Sequence, residues 1–476
     1  MISALDVLLC PLILQTWPLF EKKMKSAHLS SAAIDAFKHN YSQLVAGVTG
    51  LVAEDTIDPV ESLPSLGSLG KDIPRDVADL LRKTAVLKLN GGLGTSMGLE
   101  KAKSLLPVKD GKTFLDLIAE QIKHMRAEFK SKVRFILMNS FSTSEDTRAF
   151  LKEHHPDLLE ERDVELMQNS SCKVDMKTLR PASYPQNPEM EWAPPGHGDI
   201  YPSLVGSGML ERLLADGIEY VFVSNSDNLG ATLDLQLLSH FANSGNSFMM
   251  EVCKRTQGDK KGGHLAKRKS DGRLILRESA MCPGKDKPIF EDIEVHKYFN
   301  TNNLWLNLKH LKSTLESCGG TLKLPLIKNN KTVNPRDPST ENVFQLETAM
   351  GSAIECFENS SAIEVPRTRF APVKTSSDLF ALRSDAYKIT EASTIALVAD
   401  APPFVKLDDE HYKLVDQMES LTRNVPSLVD CKSLVVKGRI QFGPEVVIRG
   451  SVVLKHVENT KAQIFERVFE DVDIDV

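Results

Sequence analysis

The run from Ala85 to Val108, AVLKLNGGLGTSMGLEKAKSLLPV, constrains the fold of this chain more than any other stretch. Its largely apolar start, through Leu89, ends at Asn90-Gly91-Gly92, which predicts a buried strand running into a glycine-rich loop. Glycines lack the Cβ atoms that would keep an anion away, so the loop N–H groups could converge on phosphate oxygens or a base edge. Lys103 follows at a distance suited to a charge-assisted contact.

Two commoner phosphate-binding loops do not fit this stretch. A P-loop needs Lys and then Ser or Thr after its last glycine, but Leu99 and Glu100 follow Gly98. A dinucleotide-binding fingerprint needs glycine where Met97 stands. Neither motif is therefore present in this loop.

Apolar runs alternate with amphipathic helical segments after the loop. We predict strands at 133–138, 164–167, 220–223, 248–252 and 273–276, and helices at 113–122 and 144–152, the first with Thr113 and Asp116 as a capping box. This order is typical of an α/β fold with a Rossmann-like, mostly parallel mixed sheet covered by helices on both faces. Its ligand site lies where the strands end. Asn90, Asn139, Gln168 and Asn225 each lie at such an end.

The two ends of the chain have different patterns. Residues 7–20 are apolar, but no Lys or Arg precedes them and Pro11 and Pro18 interrupt them, so we expect neither a signal peptide nor a membrane span. We interpret them as an extension ahead of a helix that opens near Met24, with two helices around the Pro/Ser/Gly-rich stretch 59–70. This gives an N-terminal helical region over residues 1–83 and a catalytic domain over 84–395.

An apolar repeat of six residues occupies the C-terminal domain, 396–476. Its two series are Leu434, Ile440, Val446, Val452 and Val436, Phe442, Ile448, Leu454. Such a period predicts a β-helix, and a pair of plain β-hairpins is the alternative. The sequence leaves open whether the protein is a monomer or self-associates through this domain.

Composition excludes several function classes. The 476 residues are 41% hydrophobic and carry a formal net charge of −6, which gives no basic face for nucleic acid. The seven cysteines are scattered without a Cys-x-x-Cys pair, which favours a reducing compartment and argues against a structural zinc site. We expect a cytoplasmic protein. No Ser-Lys-Leu signal ends the chain, although other routes into an organelle remain open.

Asp227 is the best candidate for a metal ligand. It follows the apolar run Tyr220–Val223 in the turn SNSDNLG, where its carboxylate would point into the crevice. Mg²⁺ needs only one or two protein carboxylates when substrate phosphates complete its shell. A side chain that merely caps the turn is the alternative.

Six ordered blocks resemble the eukaryotic-type UTP–glucose-1-phosphate uridylyltransferase family. They are Leu89-x-x-Gly-x-Gly-Thr-x-Met97 with Lys103, WAPPGHGD at 192–199, SNSDNLG at 224–230, FNTNNLW at 299–305, QLETAMG at 345–351 and RFAPVKT at 369–375. The resemblance implies direct in-line transfer of UMP from UTP to glucose 1-phosphate, with Mg²⁺ on Asp227 and with Lys103 and Lys374 supplying positive charge.

The resemblance also implies the substrate contacts. Gln168 and the Gly91 backbone would read uracil, and His197 would contact the sugar phosphate. Glu278, Asn302 and Asn303 would meet sugar hydroxyls. Further substrate-binding residues are Leu89, Asn90, Gly92, Gly196, Asn225 and Ser226. From the residues alone, Asn-rich turns are commonly only turns, and Lys374 would be a solvent-facing lysine.

Two rival functions remain at this stage. One is a pyrophosphorylase for N-acetylhexosamine 1-phosphate or for several sugar phosphates, which a panel of sugar phosphates would separate. The other is a catalytically silent protein that binds sugar nucleotides, which would release no pyrophosphate from UTP. Neither nucleic acid nor a membrane is an expected partner.

Overall fold

The structure is a computed structural model that describes residues 11–70, 76–456 and 462–476. In the described part of the chain, none of the helices has the length and hydrophobicity to cross a lipid bilayer. The helices are α1 Pro11–Ser26, α2 Ser31–Val45, α3 Val77–Arg82, α4 Phe114–Phe129, α5 Ser144–His154, α6 Pro156–Leu159, α7 Ile200–Gly206, α8 Met209–Ala215, α9 Leu235–Ser244, α10 Lys287–Phe290, α11 Leu308–Ser317, α12 Ser376–Arg383, α13 Asp409–Tyr412 and α14 Val415–Leu421.

The strands include every one that the sequence pattern predicts. They are β1 Ile57–Pro59, β2 Thr84–Leu89, β3 Pro107–Lys109, β4 Lys112–Thr113, β5 Arg134–Asn139, β6 Glu165–Met167, β7 Ser171–Cys172, β8 Val174–Asp175, β9 Trp192–Ala193, β10 Tyr220–Asn225, β11 Phe248–Lys254, β12 His264–Arg268, β13 Leu274–Arg277, β14 Tyr298–Asn307, β15 Ile327–Thr332, β16 Asn342–Glu347, β17 Ser360–Glu364, β18 Tyr387–Ile389, β19 Ile395–Leu397, β20 Phe404–Lys406, β21 Cys431–Lys437, β22 Ile440–Phe442, β23 Val447–Lys455, β24 Ala462–Ile464, β25 Val468–Glu470 and β26 Asp473–Asp475.

The central sheet is mixed. Its strand order is β1-β12-β14-β10-β2-β5-β6, with β11 and β17 continuing from β14 and β13 paired to β12. Strands β10, β2, β5 and β6 pair in parallel, but β14 runs antiparallel to both β10 and β11. The prediction of a mostly parallel sheet is therefore wrong for the second half. There, connections such as the short turn between β12 and β13 permit only antiparallel pairing.

Successive side chains of the central strands point to opposite faces of this sheet. On β2, Val86 packs in a cluster with α4, α9 and the C-terminal strands, whereas Ala85 and Leu87 pack in a cluster with α7, α8 and α11. Both faces of the sheet are thus covered, as predicted. Helix α4 begins with the predicted capping box of Thr113 and Asp116, although it continues to Phe129.

The N-terminal helices correct the prediction for residues 11–83. Helix α1 is described from Pro11 to Ser26, and it tolerates Pro18 because Leu14, whose carbonyl loses a hydrogen bond there, lies on the exposed face. Phe20 packs its ring 4.6 Å from Tyr41 of α2. Met24 is fully buried near the end of α1 rather than at the start of a helix. Both α1 and α2 precede the 59–70 stretch, and between that stretch and residue 83 the described residues form one short helix, α3.

The repeat near the C-terminus forms parallel strands. Leu434 pairs with Val452, and Val436 pairs with Leu454, between β21 and β23. The eight repeat residues are at most 2% exposed. The hairpin alternative is therefore wrong, since hairpins pair antiparallel. These side chains belong to the same hydrophobic cluster as one face of the central sheet. The Phe442 ring packs at a tilt against Phe380 of α12, with 5.5 Å between the ring centroids.

Leu434→Ala should lower the free energy of unfolding by about 2–5 kcal/mol, because it leaves a cavity among fully buried neighbours. Chemical denaturation of this variant would measure the loss. Val435→Ala is the matched control, because Val435 points away from the buried series. Equal losses in the two variants would contradict the inward assignment of the repeat.

Candidate active site

A cleft of about 860 Å³, open to solvent on one side, lies where β2, β5, β6 and β10 end. The ends of parallel strands are the expected place for a ligand site in such a sheet. All but Met138 and Pro194 of the lining residues were predicted from the sequence. The lining is Leu89, Gly91, Gly92, Lys103, Met138, Gln168, Pro194, Gly196, His197, Asn225, Ser226 and Asp227.

The glycine loop folds back onto Lys103. Gly94 has φ +69°, in the left-handed region, and a Cβ on it would lie 2.9 Å from the Leu99 side chain. The Lys103 N–H donates to the Gly92 carbonyl at 3.0 Å. Its ammonium Nζ lies 2.7 Å from Oδ2 of Asp227. The loop thereby joins the lysine to the carboxylate across the cleft.

Asp227 has the donor atom that a hard cation needs. Its Oδ2 accepts from Lys103, but its Oδ1 is buried and has no hydrogen-bond partner among the described residues. Within the residues that the structure describes, the Asp227 carboxylate accepts no N–H of its turn, whereas the Asn228 side chain accepts the Gly230 N–H. A free, buried carboxylate oxygen fits Mg²⁺, which prefers oxygen ligands.

Gln168 and Gly91 face each other across one wall of the cleft. The Gln168 side chain donates from Nε2 to the Gly196 carbonyl at 3.1 Å. Its Oε1 lies 3.0 Å from the position that a Cβ on Gly91 would occupy, so a larger residue would crowd the amide. The pair presents a side-chain amide and a backbone N–H, which are the groups that a pyrimidine edge requires.

His197 is held as a neutral hydrogen-bond donor. Its Nδ1 accepts the Met350 N–H at 2.9 Å, which leaves the proton on Nε2. Burial lowers the pKa of this imidazole to about 4. The preceding Gly196 has φ +80°, and a Cβ there would lie 2.5 Å from the Thr348 carbonyl oxygen. The turn therefore requires glycine to bring His197 into the cleft.

The segment that carries Lys374 returns to the same crevice, as the sequence predicts. Val373 donates its N–H to the Asp227 carbonyl at 3.1 Å, next to a bridge between Asn228 and Pro372. Thr375 caps α12. Lys374 itself is exposed, with Nζ 5.9 Å from the Phe370 ring.

Glu278 and Asn302 lie beside the cleft rather than in its lining. Burial raises the pKa of Glu278, and the nearby positive charge of Lys374 opposes this shift. Asn302 has φ +59° and exchanges two hydrogen bonds with Asn300, both 2.9 Å long. A Cβ on Gly263 would lie 2.5 Å from the Glu278 carboxylate. These residues thus form a second polar wall next to Lys374.

Two of the predicted substrate-binding residues, Asn90 and Asn303, turn their side-chain amides into the protein. Asn90 is 2% exposed, and its amide donates to Asn139 at 2.7 Å and to Thr147 at 3.0 Å. Asn303 is fully buried and donates to Glu251 at 3.1 Å. Both amides are turned into the protein and lie outside the lining of the cleft, and substrate binding by these two residues stays a prediction.

Sequence reasoning missed the buried charges beneath the site. Lys88 donates to Ser224 Oγ at 2.8 Å and to the Ala231 carbonyl at 2.6 Å, so it holds both ends of the turn that carries Asp227. Burial lowers the pKa of Lys88 to about 7. Below it, Arg369 pairs with Glu251 at 2.8 Å. A lysine inside an otherwise apolar strand was the available signal.

We expect the His197 imidazole to stay neutral down to about pH 4, with its proton on Nε2. The unfolded chain takes up this proton below about pH 6.5, so the contribution of His197 to stability falls as the pH drops from 6.5 towards 4. ¹⁵N NMR titration would measure the tautomer and the pKa. His197→Gln identifies the resonance and should make stability less sensitive to acid. A titration midpoint of His197 near pH 6.5 would contradict the assignment of a buried, neutral imidazole.

The comparisons with known proteins agree with this geometry. The sequence model of the family described as UTP–glucose-1-phosphate uridylyltransferase matches residues 34–449. A protein of that name from Encephalitozoon cuniculi is 41% identical over 387 residues, which cover 80% of this chain and 75% of the relative. The Saccharomyces cerevisiae protein of the same name is 40% identical over 396 residues, covering 82% and 77%.

Solved structures match over almost the whole length. A Leishmania major UDP-glucose pyrophosphorylase variant, solved in complex with UDP-glucose, is 46% identical with a TM-score of 0.92 and covers 97% of this chain and 99% of its own. A Trypanosoma brucei structure, described as UDP-glucose phosphorylase, is 47% identical with a TM-score of 0.89, covering 97% and 100%. The blocks, the cleft that they build and these matches show that the chain belongs to the UTP–glucose-1-phosphate uridylyltransferase family.

Proposed function

We propose that this protein catalyses the reversible transfer of UMP from UTP to glucose 1-phosphate, which gives UDP-glucose and pyrophosphate. The observation that carries the proposal is the cleft itself. One wall offers Gly91 and Gln168 to a base, and the other offers Lys103 and Asp227 to phosphates. Relatives that cover most of the chain carry the corresponding name.

The base wall suits uracil. An amide and a backbone N–H can pair with the alternating C=O and N–H groups of the uracil edge. A purine would leave these partly buried groups unpaired, and such a mismatch is costly. UTP should therefore be strongly preferred over ATP.

The phosphate wall neutralises charge. Asp227 would hold Mg²⁺ through its free Oδ1, and the ion, when bound, would offset the negative charge of the phosphate oxygens. Lys103 already reaches this carboxylate, so its ammonium lies where nucleotide phosphates would lie. We assign Lys103 to contact those oxygens directly.

The reaction needs positioning rather than a covalent intermediate. A phosphate oxygen of glucose 1-phosphate attacks the α-phosphorus of UTP in line, one P–O bond forms and the bond to pyrophosphate breaks. The attacking phosphate is already an anion, so it needs no general base. The Nε2–H of His197 would donate to the sugar phosphate, and Lys374 would lie between the two reacting anions. Ser226 and Asn225 would line the path between them.

The remaining architecture follows the same proposal. We propose a Rossmann-like catalytic domain over 84–395, an N-terminal region over 1–83 and a C-terminal β-helix over 396–476. Leu434 pairs in parallel with Val452, and Val436 with Leu454, so the paired residues lie three repeats apart. This spacing supports the β-helix. We also propose that the protein works in the cytoplasm, which its separate free cysteines support.

Pyrophosphate release tests the function. With Mg²⁺ and glucose 1-phosphate, we expect steady release from UTP and little from ATP, and a panel of other sugar phosphates would define the sugar. Asp227→Asn, which keeps the size of the side chain but removes its charge, should fold and lose most turnover. Equal rates with UTP and ATP would contradict the base wall. Near-normal turnover of Asp227→Asn would contradict the metal assignment.

Lys374→Ala should lower kcat by about 10²- to 10³-fold, because it removes one preorganised charge where negative charge develops. UTP binding should weaken much less, and Lys374→Arg should recover only part of the loss, since a planar guanidinium does not replace a compact ammonium. Lys388→Ala, on the exposed side of β18, is the control. If Lys374→Ala changed only the KM for glucose 1-phosphate, the lysine would be a ground-state binding residue.

A further inference from the structure

The carboxylate of Asp199 lies behind the base wall and is not part of the lining of the cleft. We propose that Asp199 is a positioning residue that fixes the orientation of the Gln168 side-chain amide and thereby sets the preference for uracil over cytosine. This inference rests on the proposed function and names the group that makes its base wall selective.

Asp199 is almost completely enclosed and is held by hydrogen bonds. It is 4% exposed. Its Oδ2 accepts from the Asn169 N–H at 2.7 Å and from Ser203 Oγ at 2.7 Å. Its two oxygens also accept from the Asn169 side-chain amide at 3.1 and 3.2 Å. Asn169 is the residue directly after Gln168, so these bonds fix the backbone that carries the base-reading side chain.

A second contact closes this arrangement into a ring. The Asp199 N–H donates to the Gly196 carbonyl at 3.2 Å, and Gln168 Nε2 donates to the same carbonyl at 3.1 Å. The backbone of Gln168 and the far end of its side chain are therefore both tied to Asp199. With Nε2 bound to Gly196, Oε1 must face Gly91 and the cleft, as an acceptor.

The orientation matters because uracil and cytosine differ in hydrogen bonding at N3 and at the neighbouring C4 substituent, and we assign the Gln168 amide to N3. Uracil carries an N–H at N3, which can donate to the fixed Gln168 Oε1. Cytosine has a lone pair there, so it would need the amide to rotate and donate instead. Rotation would break the bond from Nε2 to Gly196, and leaving the amide in place would set two acceptors against each other. The ring through Asp199 therefore discriminates between the bases by resisting this rotation.

Packing alone does not explain a carboxylate at this position. Burial raises the pKa of Asp199 to about 6. The folded state therefore binds the proton more tightly than the unfolded chain, and the stability from this group is lost as the pH rises through 6. An asparagine would fill the same volume without that cost and could keep the bonds at Oδ2, but its NH2 group would then oppose the Asn169 side-chain amide where Oδ1 now accepts.

Asp199→Asn tests the positioning role, with kcat/KM for UTP and for CTP measured against glucose 1-phosphate at pH 7.5. We expect the ratio of the two values to fall by about tenfold, the worth of one hydrogen bond. The loss should appear mainly as a higher KM for UTP, with kcat nearly unchanged. The thermal midpoint should stay close to that of the wild type, because the cost of the buried charge is removed together with the bonds.

Asp163→Asn is the matched control. Asp163 is a mostly buried carboxylate at the opposite end of β6, where it binds Arg212 at 2.8 Å. Its loss should lower the thermal midpoint and leave the UTP-to-CTP ratio unchanged. Should Asp199→Asn fail to fold, Ser203→Ala removes one bond to the carboxylate and should lower the ratio in the same direction by a smaller factor.

The outcomes separate this inference from the proposed function. A wild-type preference for UTP over CTP that persists in both Asp199→Asn and Ser203→Ala would overturn the positioning role and leave the function intact. An equal fall of the ratio in Asp163→Asn would also overturn it, because the effect would then be one of general stability. A wild-type protein with no preference between UTP and CTP would overturn the base wall and this inference together.

Discussion

The parallel register between β2 and β10 is the constraint on which the site depends. Leu89 lies opposite Asn225, so the two strands end side by side. The glycine loop leaves one strand and the turn with Asp227 leaves the other at the same level. A slip of one residue would turn every side chain of a strand to the other face. Such a slip would separate Lys103 from Asp227, the two residues that form the phosphate wall.

Buried polar groups hold this register from below. Lys88 binds both ends of the 224–231 turn, and Glu251 binds Arg369, Asn303 and the Trp305 indole, the last at 2.9 Å. Buried charge pairs are a weak source of stability, because desolvation offsets much of their attraction. Their effect here is geometric, since they join neighbouring strands of the sheet and, through Ala231 and Arg369, connect those strands to loops.

Much of the cleft was predictable from the sequence, and the exceptions have physical reasons. Gly91, Gln168, His197 and Asp227 follow strand ends or glycine turns, and such positions fix where a residue lies. They do not fix where a side chain points. Asn90 and Asn303 lie in the blocks that carry the family resemblance, but their amides turn inward, where they donate to buried hydrogen-bond partners. Asp199 lay inside a recognised block and still showed no signal, because its role depends on Asn169, far away in the sequence.

For the fold, too, the sequence predicted position better than direction. Strand positions were predictable from apolar runs, but strand direction in the second half was not, because an apolar run has the same composition in either direction. The helical conformation of residues 11–26 was missed because Pro11 and Pro18 were treated as interruptions of the apolar run.

The backbone bond from Val373 to the Asp227 carbonyl has a consequence for how such chains can vary. It joins two loops that lie far apart in sequence, and each has a fixed path from its strand or to its helix. A residue inserted into either loop would shift one partner of this bond without moving the other. The two loops must therefore keep their lengths together, so length changes in this family should accumulate elsewhere, as in the connection between β15 and β16. Lineages would then differ in their outer hairpins while the spacing between these two loops and their strands stayed constant.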